Sequence, residues 1–249
     1  MKSNIDHLAL ILDGNRRWGK AHGLKMSVDF YIKSGLLGLD VAKAAFNRGI
    51  DNLTIWIGSV SNLTERPALE LRALNKAYKK FFEDQKNLEF AHERQIKIDC
   101  IGRWQDLLEP ATARAISKTV AATAQYADSG RRLTVLIAYD GTEERGAALW
   151  KILTETLCYD TNLLEPDIAE VKSLADDLRR NSWTGHLPDV DLLIRTGVGD
   201  DPHNSAGFLS MLVDNVQYAF LDTLWPDFTP EMLNQILDDF ATRERRMGK

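Results

Sequence analysis

Short apolar runs rich in β-branched residues alternate along this chain with longer stretches of helical periodicity, and that alternation restricts the possible folds more than any other feature. Residues 7–12, 53–58, 95–101, 132–138 and 190–195 read as buried strands, and 217–220 as a short sixth. Helical sequence lies between them, at 34–48, 67–93, 110–127, 143–156, 166–178 and 230–244. Gly49 and Gly130 supply stops after the first and third of these helices. Within 67–93, Leu71, Leu74, Tyr78 and Phe81 or Phe82 recur at three- and four-residue steps, so one face is apolar. Strand alternating with helix predicts an α/β fold, a mostly parallel central sheet of about six strands covered by helices on both faces. No repeat, linker or low-complexity segment interrupts the pattern, so residues 1–249 read as a single domain.

Charge and cysteine content narrow the class. A net charge of −5 spread along the chain argues against a nucleic-acid surface. Cys100 and Cys158 are far apart and lack metal-ligand spacing, so neither a disulfide framework nor a zinc site is expected, and the chain reads as cytoplasmic. No signal-peptide pattern follows Lys2, and no apolar run approaches the roughly 20 residues of a membrane span. Any membrane contact is expected to be peripheral.

The first candidate site follows the first strand, in Asp13-Gly14-Asn15-Arg16-Arg17-Trp18-Gly19-Lys20. The strand delivers Asp13 to its C-terminal end, where open α/β sheets bind ligands. Gly14 and Asn15 suit a tight turn, whose N–H groups with the next helix N-terminus can cradle an anion. Arg16 and Arg17 can add charge-assisted bonds to phosphate oxygens, and Asp13 suits Mg²⁺, which takes one or two carboxylates alongside phosphate and water. On these residues alone, a strand-end aspartate capping a helix beside solvated arginines accounts for the pattern equally well.

Asp13-Gly14-Asn15-x-Arg17-Trp18-x-Lys20 resembles the signature of the cis-prenyltransferases, the family of undecaprenyl and dehydrodolichyl diphosphate synthases. The resemblance implies that Asp13 carries Mg²⁺ at an allylic diphosphate and that Gly14, Asn15 and Arg17 hold the leaving group. Arg16 and Trp18 join the expected substrate-binding set, and Asn15 is implied in positioning isopentenyl diphosphate for proton loss. Two further segments resemble the family. Ser59-Val60-Ser61-Asn62-Leu63-Thr64-Glu65-Arg66-Pro67 is similar to its flexible serine-rich loop, which makes Asn62 a candidate catalytic residue and Arg66 a diphosphate contact. Leu63 departs from the usual aromatic residue, and a plain polar loop with Pro67 opening a helix is the competing reading.

The third segment runs from the 190–195 strand through Arg195-Thr196-Gly197 to Leu224-Trp225-Pro226-Asp227-Phe228. In the family this loop binds isopentenyl diphosphate, so Arg195 is an expected contact. The intervening Pro202-His203-Asn204-Ser205-Ala206-Gly207-Phe208 departs from the common pattern and resembles one branch, with His203 standing for a missing arginine and Ser205 for the expected hydroxyl. The family's glutamate metal ligand falls on Gln217, which offers only a carbonyl oxygen. Asp200 and Asp201 are possible substitutes, although a solvated acidic turn is the simpler reading. Met26 and Asp29-Phe30-Tyr31 stand where the family usually has an Arg and then Gly-His. Arg246-Met247-Gly248 resembles an Arg-x-Gly tail that reaches the diphosphate across a homodimer interface, and a basic last helical turn is the alternative.

The resemblance implies an Mg²⁺-dependent transferase condensing an allylic diphosphate with isopentenyl diphosphate into cis-prenyl diphosphates, its tail-binding tunnel lined by Leu71, Leu74, Tyr78, Phe82 and residues near 133–137. The same fold performing irregular head-to-middle coupling or cyclisation, a non-catalytic partner subunit, and an unrelated phosphate-binding α/β protein are the rivals.

Overall fold

The computed structural model describes residues 5–155 and 168–243. In chain order its elements are β1 (His7–Ile11), α1 (Asn15–Ala21), α2 (Val28–Asn47), β2 (Asn52–Ser59), α3 (Val60–Thr64), α4 (Ala68–Glu83), α5 (Gln85–Arg94) and β3 (Lys97–Ile101). They continue as α6 (Trp104–Leu107), α7 (Pro110–Thr123), β4 (Arg132–Tyr139), α8 (Gly141–Glu155), α9 (Ile168–Asn181), β5 (Leu192–Arg195), β6 (Gln217–Phe220) and α10 (Pro230–Thr242). All six strands form one sheet in the order β3-β4-β2-β1-β5-β6, and every neighbouring pair is parallel. The expected α/β architecture is therefore present.

Strand order follows from burial. Both faces of β1 are covered, so all five of its residues are buried and it takes the middle of the sheet. Alternate residues serve opposite faces. Leu8 and Leu10 pack with Val41, Ala45 and Phe46 of α2 and with Leu233 and Leu237 of α10. Ala9 and Ile11 pack on the other face with Trp56, Tyr139, Leu193 and Phe208.

Several boundaries differ from the sequence expectation, each for a local reason. The helix expected over 67–93 is two helices broken at Asp84, whose backbone is extended and whose carboxylate accepts the Lys86 N–H to start α5 afresh. The helix expected from residue 34 begins at Val28, capped by the Ser27 hydroxyl on Phe30 N–H. The serine-rich stretch expected as a loop is the single turn α3, capped by Ser59. Gln95, expected in a strand, adopts a left-handed conformation and ends α5. No described helix is long and apolar enough to cross a membrane. Cys100 is partly buried against the apolar interior, and desolvation pushes its thiol pKa up; Cys158 lies outside the described residues.

Candidate active site

A cavity of about 540 Å³ starts at the C-terminal ends of β1, β2 and β5 and runs back over the sheet between α2 and α4. Its mouth is polar, with Asp13, Asn15, Arg16, Arg17, Arg66 and Arg195. Ser59, Ser61, Asn62 and Ser205 complete the rim. The interior is apolar. Gly35, Gly38 and Ala42 of α2 face Leu74, Tyr78 and Phe81 of α4. At the far end stand Leu88, Ile98, Leu133, Thr119 and Asn87. Leu74, Tyr78, Phe82 and Leu133 of the expected tunnel are thus in its wall, whereas Leu71 packs behind it against the core.

Asp13 is held at the mouth from several sides. Gly14 N–H donates to its Oδ1 at 2.6 Å, Arg17 Nη2 reaches the same oxygen at 3.2 Å, and Arg195 Nη2 donates to Oδ2 at 3.0 Å. Its carbonyl accepts from the Thr196 hydroxyl at 2.7 Å and from Trp225 N–H at 2.9 Å. The two distant motifs are therefore one structure: the Leu224-Trp225 turn lies directly against the Asp13-Gly14 turn. Gly14 has φ +105°, and a Cβ there would come within 2.7 Å of Leu224, so glycine is required on both counts.

The side chains around Asp13 are arranged by their neighbours. Asn15 Oδ1 accepts from the Ser34 hydroxyl at 2.9 Å and its Nδ2 donates to Leu12 O at 3.3 Å, which fixes one orientation of the amide. Arg66 pairs with Glu70 one helical turn on, at 3.2 Å. Arg195 is buried, and its Nη1 donates to the His203 carbonyl at 2.8 Å. Four guanidinium groups thus face two carboxylates, and the Nε–H groups of Arg66 and Arg195 are buried without a partner. With four positive groups against two negative ones, the mouth carries a surplus of positive charge that an anion would neutralise.

The arrangement fits Mg²⁺ in one specific way. Among the described residues no group of three His, Cys, Asp or Glu side chains could cage a metal. Asp13 is a single, partly open carboxylate at the mouth. That suits an ion held by one carboxylate and otherwise by phosphate oxygens and water.

Some expected residues do not enter the cavity. Trp18 is an anchor: its Nε1 donates to Asp227 Oδ1 at 2.7 Å and its ring stacks on His22. His203 contributes its carbonyl to Arg195, while its exposed ring turns to Asp201. Asp200 and Asp201 are solvent-exposed. Gln217 opens β6 level with Leu192 and Leu8, and accepts from Arg243. Asp13 lies five residues beyond Leu8 and two strands away, so within one chain Gln217 does not approach it; as a metal ligand beside Asp13 of the same chain it is corrected. Arg246 lies outside the described residues.

Other residues of the site are not evident from sequence. Ser34 and Tyr31 lie in a helix that begins earlier than its apolar periodicity indicates, and Glu70 shows only as a carboxylate four residues after Arg66. That i,i+4 spacing is a usable signal.

Comparison with known proteins agrees with the motifs. Residues 11–248 match the family described as putative undecaprenyl diphosphate synthase. An isoprenyl transferase of Thermus thermophilus is 30% identical, the match covering 98% of this chain and 88% of the relative. An isoprenyl transferase of Chlamydia abortus is 31% identical, over 100% and 94%. In fold, the chain is similar to lavandulyl diphosphate synthase from Lavandula x intermedia, with TM-score 0.83, 24% identity and 98% of both chains covered. It is also similar to a probable undecaprenyl diphosphate synthase from Campylobacter jejuni, with TM-score 0.70, 21% identity and 99% of both chains covered.

Proposed function

The chain belongs to the undecaprenyl diphosphate synthase family of prenyltransferases, and from that premise we propose that it condenses an allylic diphosphate with isopentenyl diphosphate to extend a cis-prenyl chain. The carrying observation is one continuous cavity whose mouth holds Asp13 and four arginines and whose interior is apolar. A prenyl diphosphate has the same division, a highly charged head on an apolar tail.

The chain's own residues do most of the work by placement and electrostatics. The head of the allylic substrate sits at the Asp13–Asn15 turn, where Arg17, Arg16 and Arg66 bind the diphosphate before and during its departure. The tail lies between α2 and α4. Arg195 holds Asp13 and the His203 carbonyl together, which fixes the rim where Ser205 and Ala206 enter the cavity as the acceptor side. Asn15, locked by Ser34 and Leu12, and Asn62 on the rim of the same cavity present polar groups where the proton of the new chain leaves. Mg²⁺ bound to Asp13 would supply Lewis-acid neutralisation of diphosphate charge. The working unit is taken to be one domain over the whole chain, acting as a homodimer in the cytoplasm.

The test is incubation of the purified protein with isopentenyl diphosphate, dimethylallyl, geranyl or farnesyl diphosphate and Mg²⁺, with mass spectrometry of the products and an EDTA control. Products growing by isoprene units with cis geometry, absent in EDTA, are expected. A branched or cyclic product from allylic diphosphate alone would move the chain to irregular coupling or cyclisation. Asp13→Asn keeps the shape of the turn but removes the charge, and is expected to abolish most turnover while the circular dichroism spectrum stays unchanged. Near-normal turnover of that variant would defeat the mechanism.

A further inference from the structure

Tyr31 is the least expected group at the mouth. It comes from the first turns of α2, its ring is largely buried, and its hydroxyl donates to Glu70 Oε1 at 2.7 Å. Burial and the Glu70 carboxylate raise its pKa, so it remains a neutral donor at physiological pH. The same hydroxyl accepts from Arg66 Nη1 at 3.2 Å.

Glu70 Oε1 is the centre of this cluster. It pairs with Arg66 at 3.2 Å and lies 3.6 Å from Arg16 Nε, and only about a tenth of the side chain is exposed. Tyr31, Arg16 and Arg66 line the cavity, whereas Glu70 stands behind them. A buried carboxylate with two guanidinium groups as its only partners would bind both tightly. Either arginine could then turn to a ligand only by leaving that carboxylate under-satisfied. The Tyr31 hydroxyl changes the balance, because it fills one acceptor position on Oε1 at shorter distance than either arginine. Arg16 is left beyond hydrogen-bond distance, with 60% of its side chain exposed.

We propose that Tyr31 is a positioning residue that satisfies Glu70 so that Arg16 is released to bind a diphosphate group. The inference rests on the proposed function for the identity of the ligand, but not for the cluster's geometry. Because Arg16 contacts the head group before and during its departure, losing the hydroxyl weakens ground state and transition state alike. It therefore raises KM and leaves kcat in place.

The experiment uses full-length protein with Tyr31→Phe, Glu70→Gln and the double variant. Two readouts are taken: steady-state kcat and KM for the allylic diphosphate, and calorimetric binding of inorganic diphosphate, which needs no turnover. Tyr31→Phe is expected to raise KM and the diphosphate Kd roughly tenfold, the scale of one hydrogen bond to a charged group, with kcat within about twofold. In the Glu70→Gln background, where the carboxylate is neutral, Tyr31→Phe is expected to add less than about twofold, so the two effects are strongly non-additive. Unchanged KM and Kd in Tyr31→Phe, or additive effects in the double variant, would overturn the inference; so would a fall in kcat at constant KM, which would make Tyr31 a direct donor to the leaving group. If the wild type makes no prenyl product yet Tyr31→Phe still weakens diphosphate binding, the proposed reaction fails and the positioning role stands. If the wild type forms product and Tyr31→Phe changes nothing, the positioning role fails and the proposed reaction stands.

Discussion

Arg195 commits both ends of its guanidinium fork to the protein, Nη2 to Asp13 and Nη1 to the His203 carbonyl. It is therefore first a brace between the two halves of the mouth. A lysine has a point charge and cannot span both partners. Arg195→Lys is expected to lower kcat/KM roughly a hundredfold, the scale of one lost charge-assisted bond, in steady-state assays on protein with unchanged circular dichroism. Activity within a few-fold of wild type would show that the brace is dispensable. The sequence motif locates Arg195 correctly but suggests a substrate contact. Its internal role depends on His203, eight residues on, and Asp13, 182 residues back, and local sequence does not report such distances. The reverse holds for Asp13-Gly14-Asn15, where the turn chemistry is local and legible as it stands.

At the scale of elements, the apolar part of the cavity exists because α2 is built with small residues where it faces α4. Gly35 and Gly38 sit in its wall, and a Cβ added at Gly35 would lie 3.1 Å from the Phe81 ring. Gly35 carries no positive φ and needs no special backbone, so its lack of a side chain serves space rather than conformation. Gly35→Val is expected to narrow the passage and shift products to fewer isoprene units in mass spectra, and Gly35→Val with Phe81→Ala to restore length. An unchanged product distribution would mean that the tail does not pass Gly35. The break at Asp84 belongs to the same wall. It turns α5 so that Asn87 and Leu88 close the far end of the cavity, a bend that helical periodicity alone does not predict because the apolar stripe continues through it.

At the scale of the whole molecule, one buried histidine stands at the opposite end of the sheet. His7 is fully buried, with Nδ1 at 2.8 Å from the Pro188 carbonyl and Nε2 at 2.8 Å from the Thr54 hydroxyl. Burial pulls its pKa below the ordinary 6.5, outweighing Asp6, Asp191 and Asp189 nearby, which act to raise it. The unfolded chain takes up a proton near pH 6.5 while the folded chain does not. This stabilising contribution is present above that pH and lost as pH falls towards the folded value. The urea midpoint is expected to fall between about pH 7.5 and 5.5, and to fall less in His7→Gln. An equal fall in that variant would move the pH dependence elsewhere.

The alternation of β-branched runs with helical periods determined six strands, their parallel sense and the placement of Asp13, Arg66 and Arg195 near strand or helix ends. These are properties of a few adjacent residues, set by backbone sterics and by which face is apolar. Only the tertiary structure decided the strand order and the contact of Trp225 with Asp13. It also assigned Trp18 to Asp227, turned His203 away from the cavity, and put Gln217 at the other end of the sheet. Each of these depends on which distant segments share a sheet position. That is settled by the summed burial of the whole core, so a single sequence carries it only in aggregate and not at any one residue.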